Sequence, residues 1–137
     1  MVTQVSITNK TKSTLPRVPF ASMKNTVLGE GYLLSLVFIG NELSKKLNYS
    51  YRGKNKPTNI LSFPMDKKSG KNPAKNPGSG EIFITPSVVR KQTKLFGRDF
   101  KNLIAFLFIH GLLHLKGMEH GSRMERAEIE IRKKFRI

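Results

Sequence analysis

Apolar and polar residues alternate from Val2 to Thr8, the period of a half-buried β-strand. Pro16 and Pro19 then lead into Phe20, Met23 and Val27 at helical spacing, with Gly29 and Gly31 marking the end of a first helix. The run from Tyr32 to Ile39 is almost continuously apolar and too short for most helices, which predicts a central strand covered on both faces. Asn41 is placed to N-cap a short helix through Leu43 and Leu47 toward Tyr51. Ile60-Leu61-Ser62-Phe63 predicts a short strand ended by Pro64, and Glu81-Ile82-Phe83-Ile84 another. Between them, Asp66 to Gly80 is mostly lysine, glycine, proline and asparagine, with Ala74 its only apolar residue, the composition of a surface loop.

Thr85-Pro86 opens a helix that carries Val88, Val89, Gln92 and Leu95 and stops at Gly97. Asp99 opens the next, from Phe100 to about Lys116, whose apolar residues wrap nearly every face and so predict a buried element. Ser122-Arg123-Met124-Glu125 has the pattern of a capping box. The last helix follows, with an apolar stripe of Met124, Ala127, Ile131 and Phe135, and with Glu128–Arg132 and Glu130–Lys134 as four-residue charge pairs. The sum is a single α+β domain over residues 1–137: a small mixed sheet of about four strands against about five helices.

With 38% apolar residues, 137 residues suffice for one core. No run approaches the ~20 apolar residues of a membrane span. The N-terminus lacks a signal peptide's basic start and apolar centre, and there is no cysteine, so a cytoplasmic protein is expected. The formal charge of +16 disfavours a small neutral substrate as the only partner and points to a polyanion, most simply nucleic acid. The excess is uneven: residues 40–76 hold nine basic and two acidic residues, whereas 119–137 hold four of the nine acids.

All three histidines, His110, His114 and His120, fall within eleven residues. The first two share a helical face, and Gly117 is placed to end the helix and turn the chain so that the third closes a three-nitrogen site. Burying two imidazoles without partners on so apolar a helix is costly, which favours metal over plain packing. Three imidazoles suit zinc, one ion per chain, although nickel, copper and iron also accept them. Only a carboxylate such as Glu119 or Glu81 is left to complete a closed site, so three ligands plus water, the catalytic form, is the simpler count. Water in such a site has its pKa lowered to about 7. Gly111 stands where zinc proteases of the His-Glu-x-x-His type carry their general base, which argues against peptide hydrolysis. Glu119 reads either as a catalytic carboxylate that orients water or ligand, or as a solvent-facing turn residue.

The run from His110 to His120 resembles the signature of the YbeY family, metal-dependent endoribonucleases and rRNA maturation factors. Asn48-Tyr49-Ser50-Tyr51-Arg52-Gly53, Lys56 to Pro64 and Gly80 to Ile84 agree in the right order, so the resemblance covers about residue 32 to the end. It implies zinc on His110, His114 and His120 and cleavage of single-stranded rRNA at the ribosome. The family roles are small-subunit rRNA 3′-end maturation and ribosome quality control. Arg52 matches the family's functional arginine, whose fork suits a phosphate; alone it would read as half of a surface ion pair. Met118-Glu119 replaces the family's usual tyrosine-aspartate, and Asn59 and Glu81 stand where aspartate is usual. The partners implied are RNA and the small subunit or its proteins, with no membrane and no small-molecule cofactor. The alternative is a non-catalytic, zinc-stabilised factor that binds rRNA during assembly.

Overall fold

The computed structural model describes residues 5–66 and 77–137. Met1 to Gln4 of the first strand, and residues 67–76 of the lysine-rich loop, lie outside the described residues. The elements run β1 (Val5–Asn9), α1 (Phe20–Leu28), β2 (Leu33–Phe38), α2 (Asn41–Arg52), β3 (Ile60–Asp66), β4 (Ser79–Ile84), α3 (Pro86–Phe96), α4 (Phe100–Leu115) and α5 (Ser122–Phe135). Among the described residues the strands form one mixed sheet of order β1-β2-β4-β3, in which only the β3–β4 pair is antiparallel. This is the expected α+β architecture.

Along β2 and β4 the side chains alternate between two faces. Leu34, Leu36, Phe38, Ile82 and Ile84 are buried on one of them, and α4 lies against β3 and β4 with α1, α3 and α5 packed around it. α4 is apolar all round because it has neighbours all round: Leu103, Ile104, Phe108, Ile109 and Leu112 are fully buried. Each such side chain contributes roughly 1.5–3 kcal/mol relative to exposure. Its start is as read from the sequence, with Asp99 Oδ1 accepting the Asn102 N–H at 2.7 Å. A cap of this kind contributes about 1 kcal/mol. The close seat of α4 on the sheet depends on Gly111. A Cβ there would come within 2.8 Å of Ser62 Oγ and 2.9 Å of Ile60 Cδ1. The position a protease would give to glutamate is here pressed against β3.

Several local expectations are corrected. β1 is an edge strand whose residues Ser6 to Asn9 are exposed, so the alternation marks an edge and not a half-buried strand. β2 is covered on its second face at Val37 but open at Leu33. β3 does not end at Pro64; it runs to Asp66, because an edge strand tolerates a missing N–H, and the register shifts just after the proline. β4 begins at Ser79, inside the expected loop. Gly40, not Asn41, caps α2, and the Asn41 side chain instead accepts from the Ser87 hydroxyl at the start of α3. The capping box is not formed either. Gly121 is the N-cap, so Ser122 is already helical. Leu95, carried on α3 as read, stands 80% exposed. Among the described residues neither Glu128–Arg132 nor Glu130–Lys134 closes as an ion pair.

Candidate metal centre and cleft

His110 and His114 project from successive turns of α4 because residues four apart share a face. The turn that follows is a Schellman motif: the Gly117 N–H donates to the His114 carbonyl at 2.9 Å and the Met118 N–H to the Leu113 carbonyl at 3.1 Å. Gly117 has φ 97°, a left-handed conformation that glycine takes without steric cost. This reversal swings His120 back over the other two rings. Ring centroids are 4.5 Å apart for His110–His114, 5.1 Å for His110–His120 and 4.7 Å for His114–His120. One nitrogen from each imidazole lies within 4.8 Å of the others, a group able to hold a metal ion.

The outer nitrogens decide how the inner ones face. His110 Nδ1 is hydrogen-bonded to Glu128 Oε1 from α5, and His114 Nδ1 donates to the Met118 carbonyl at 3.2 Å. A ring whose Nδ1 donates presents a bare Nε2. The two Nε2 atoms stand 3.0 Å apart, so two lone pairs face one another, and a cation between them relieves the repulsion. Burial first, and then His110 and His120, hold the His114 pKa below the ordinary histidine value, which keeps the neutral, metal-ligating form.

The histidines open on a cleft of about 840 Å³. Its lining includes Tyr51 and Arg52 from the end of α2, Asn59 to Phe63 of the β3 segment, Phe96 from α3, and Phe106, Gly111 and Glu128. Arg52 therefore borders the same cleft as the histidines, across more than fifty residues of chain. Tyr51 is 67% exposed and lies against Phe63 with centroids 4.5 Å apart, a cleft residue and not a core one.

Glu119 lines a separate depression over the α4–α5 turn, which it shares with His120. Glu81 is on the sheet face away from α4, beside Ser35 and Met65, and is not brought to the histidines. Asn59 does border the cleft, but its side chain is engaged locally. It donates to Gln92 Oε1 at 2.9 Å and accepts the Ile60 N–H at 2.7 Å, tying β3 to α3. Glu128 is the residue that sequence reasoning missed. Its charge was assigned to Arg132, and no local period links it to His110 eighteen positions earlier.

A sequence profile described as endoribonuclease YbeY matches residues 2–136. The chain belongs to the endoribonuclease YbeY family. The match extends the family resemblance upstream of residue 32 to β1 and α1. The chain is 31% identical over 134 residues to the endoribonuclease YbeY of Halalkalibacterium halodurans, covering 93% of this chain and 84% of that one. It is 39% identical over 101 residues to the endoribonuclease YbeY of Pelagibacter ubique, covering 74% of this chain but 65% of the relative's length. The solution structure of a Thermotoga maritima protein shares the fold, with a TM-score of 0.61 at 19% identity over 96% of this chain and 91% of that one. The YbeY relatives are named as endonucleases of RNA, the polyanion to which the charge of this chain points.

Proposed function

We propose that this protein is a zinc-dependent endoribonuclease that cleaves single-stranded RNA in rRNA maturation, acting at the 3′ end of small-subunit rRNA and in ribosome quality control. The observation that carries the reading is the inward pairing of His110 and His114 Nε2, with both Nδ1 atoms already engaged and His120 folded over them. Zinc–nitrogen bonds of about 2.0–2.1 Å at a tetrahedral angle separate ligand nitrogens by about 3.3 Å, near the 3.0 Å spacing of this pair. Three protein ligands leave room for a water or substrate oxygen. Zinc bound there would supply Lewis-acid polarisation at the scissile phosphate or an acidified water.

The remaining work falls to the chain's own side chains. Glu128 holds the tautomer and orientation of His110 as a ligand. Arg52, at the rim of the same cleft, offers planar donors to the phosphate and stabilises charge that develops on it. Asn59 acts as a structural tie and not as an acid. Glu119 has the weaker claim to a catalytic part, because its depression is separate from the cleft. Ribosomal RNA is the substrate that the family and the +16 charge favour, with the small subunit as the place of encounter and the cytoplasm as the compartment.

The test separates ligand from phosphate clamp. Full-length parent, His114→Ala and Arg52→Ala proteins are assayed for metal content and for cleavage of a single-stranded oligoribonucleotide. His114→Ala loses both metal and cleavage. Arg52→Ala keeps the metal while cleavage falls by roughly 10²–10³-fold, the effect of removing one donor to a developing charge. Full activity in either variant contradicts the assignment.

A further inference from the structure

Two groups of side chains border the histidine cleft, and the reading above uses only one. Tyr51, Arg52 and Phe63 come from α2 and β3; Phe96 and Phe106 come from the end of α3 and from α4. Phe106, His110 and His114 occupy successive turns of α4. The Phe96 and Phe106 rings have centroids 5.9 Å apart, and Phe96 is 38% exposed, a large flat ring left open at the cleft.

Two guanidiniums attend the Phe106 ring, with Arg98 Cζ 4.2 Å and Arg132 Cζ 5.2 Å from its centroid. The placement of Arg132 follows from the pairing of α4 with α5: Glu128 meets His110, and one turn further on Arg132 meets Phe106. Like charges over one ring repel, and their hydrogen-bond partners do not neutralise them. Arg98 donates to the Asn102 side-chain oxygen, and Arg132 Nε donates to the Glu128 main-chain carbonyl at 3.4 Å. The Glu128 carboxylate is turned to His110. Among the described residues neither arginine is in an ion pair. Partial burial, and then Arg132, hold the Arg98 pKa below the ordinary value. An anion bound between the two would relieve this repulsion and use their free N–H donors. An exposed ring beside unneutralised cations is the combination that holds a single nucleic-acid strand, by sequence-tolerant base stacking and backbone neutralisation. The net charge of +16 selects that occupant over an apolar or basic peptide.

We propose that Phe96, Phe106, Arg98 and Arg132 form a nucleotide subsite next to the histidine centre, where a base of single-stranded RNA stacks on Phe96 and a backbone phosphate is held by the two arginines. This deepens the RNA-cleaving reading and rests on it. With Arg52 it gives the strand two anchors, so that the bond to be cleaved is presented to the histidines at a fixed register.

The test is binding of a labelled single-stranded oligoribonucleotide of about ten nucleotides to the full-length, chelator-treated protein, followed by fluorescence anisotropy over a range of salt. Phe96→Ala weakens binding roughly tenfold and Phe96→Trp restores it, because indole keeps the stacking face. Arg98→Ala weakens binding and reduces the slope of log affinity against log salt by about one. Phe96 is partly covered by Phe106, so thermal unfolding of each variant is measured beside its binding, and recovery of binding in Phe96→Trp separates loss of stacking from loss of fold. If the parent binds RNA and both alanine variants bind within about twofold of it, the subsite is overturned while the RNA reading stands. A parent that binds no RNA overturns the RNA reading, and the subsite with it.

Discussion

Glu128 is the residue whose removal separates the held histidine from the merely present one. Its carboxylate fixes His110 through Nδ1, leaving Nε2 for a metal. Glu128→Gln is expected to lower zinc affinity by about 10–100-fold in competition with a chelator, with the fold unchanged by circular dichroism. Equal affinity would mean that the pair is structural. His114 gives the site a pH signature in the metal-free state. Its pKa is held below the ordinary value of 6.5 chiefly by burial, so between that value and the folded pKa the unfolded chain binds the extra proton and the folded one resists it. This contribution to stability is full above about pH 6.5 and is lost as pH falls through the folded pKa. His114→Gln flattens that part of the profile in denaturant titrations of chelator-treated protein; an unchanged profile would assign the effect elsewhere. The histidines and Arg52 were legible in the sequence because spacing and motif mark them, whereas Glu128 was not, since its partner lies on another helix.

Among the elements, the α4–α5 turn joins fold to chemistry. Gly117 takes φ 97°, the hydrogen bonds of the Schellman motif depend on it, and His120 follows three residues later. Forcing an L-residue into that conformation costs roughly 1–2 kcal/mol. Gly117→Ala is therefore expected to lower stability by about that amount and to weaken metal binding as well, because relaxing the turn moves His120. Calorimetry of unfolding and of zinc binding on one preparation tests this; a stability loss with no change in zinc affinity would uncouple the turn from the site. Long periodic elements were legible from the sequence, above all α4 with its Asp99 cap. Element ends were not. Gly40 and Gly121 displaced the side-chain caps read at Asn41 and Ser122, and Pro64 did not stop β3, because a proline's effect depends on whether its strand has a neighbour. That β3 is an edge is a property of the sheet order, which no local pattern carries.

For the molecule as a whole, the family and the charge point to RNA as the substrate class. The +16 charge predicts RNA affinity dominated by counterion release, so log affinity falls linearly and steeply as log salt rises. A flat salt response in a filter-binding titration would contradict an electrostatic origin. No helix among the described residues is long and apolar enough to cross a membrane. The central claim is that cleavage of RNA depends on the metal held by His110, His114 and His120, and it is tested most directly by titrating zinc into chelator-stripped protein while following cleavage of a single-stranded oligoribonucleotide. Activity should be absent at the start, rise with occupancy and level off at one zinc per chain, with no response in His114→Ala. Undiminished cleavage by the metal-free protein would contradict it.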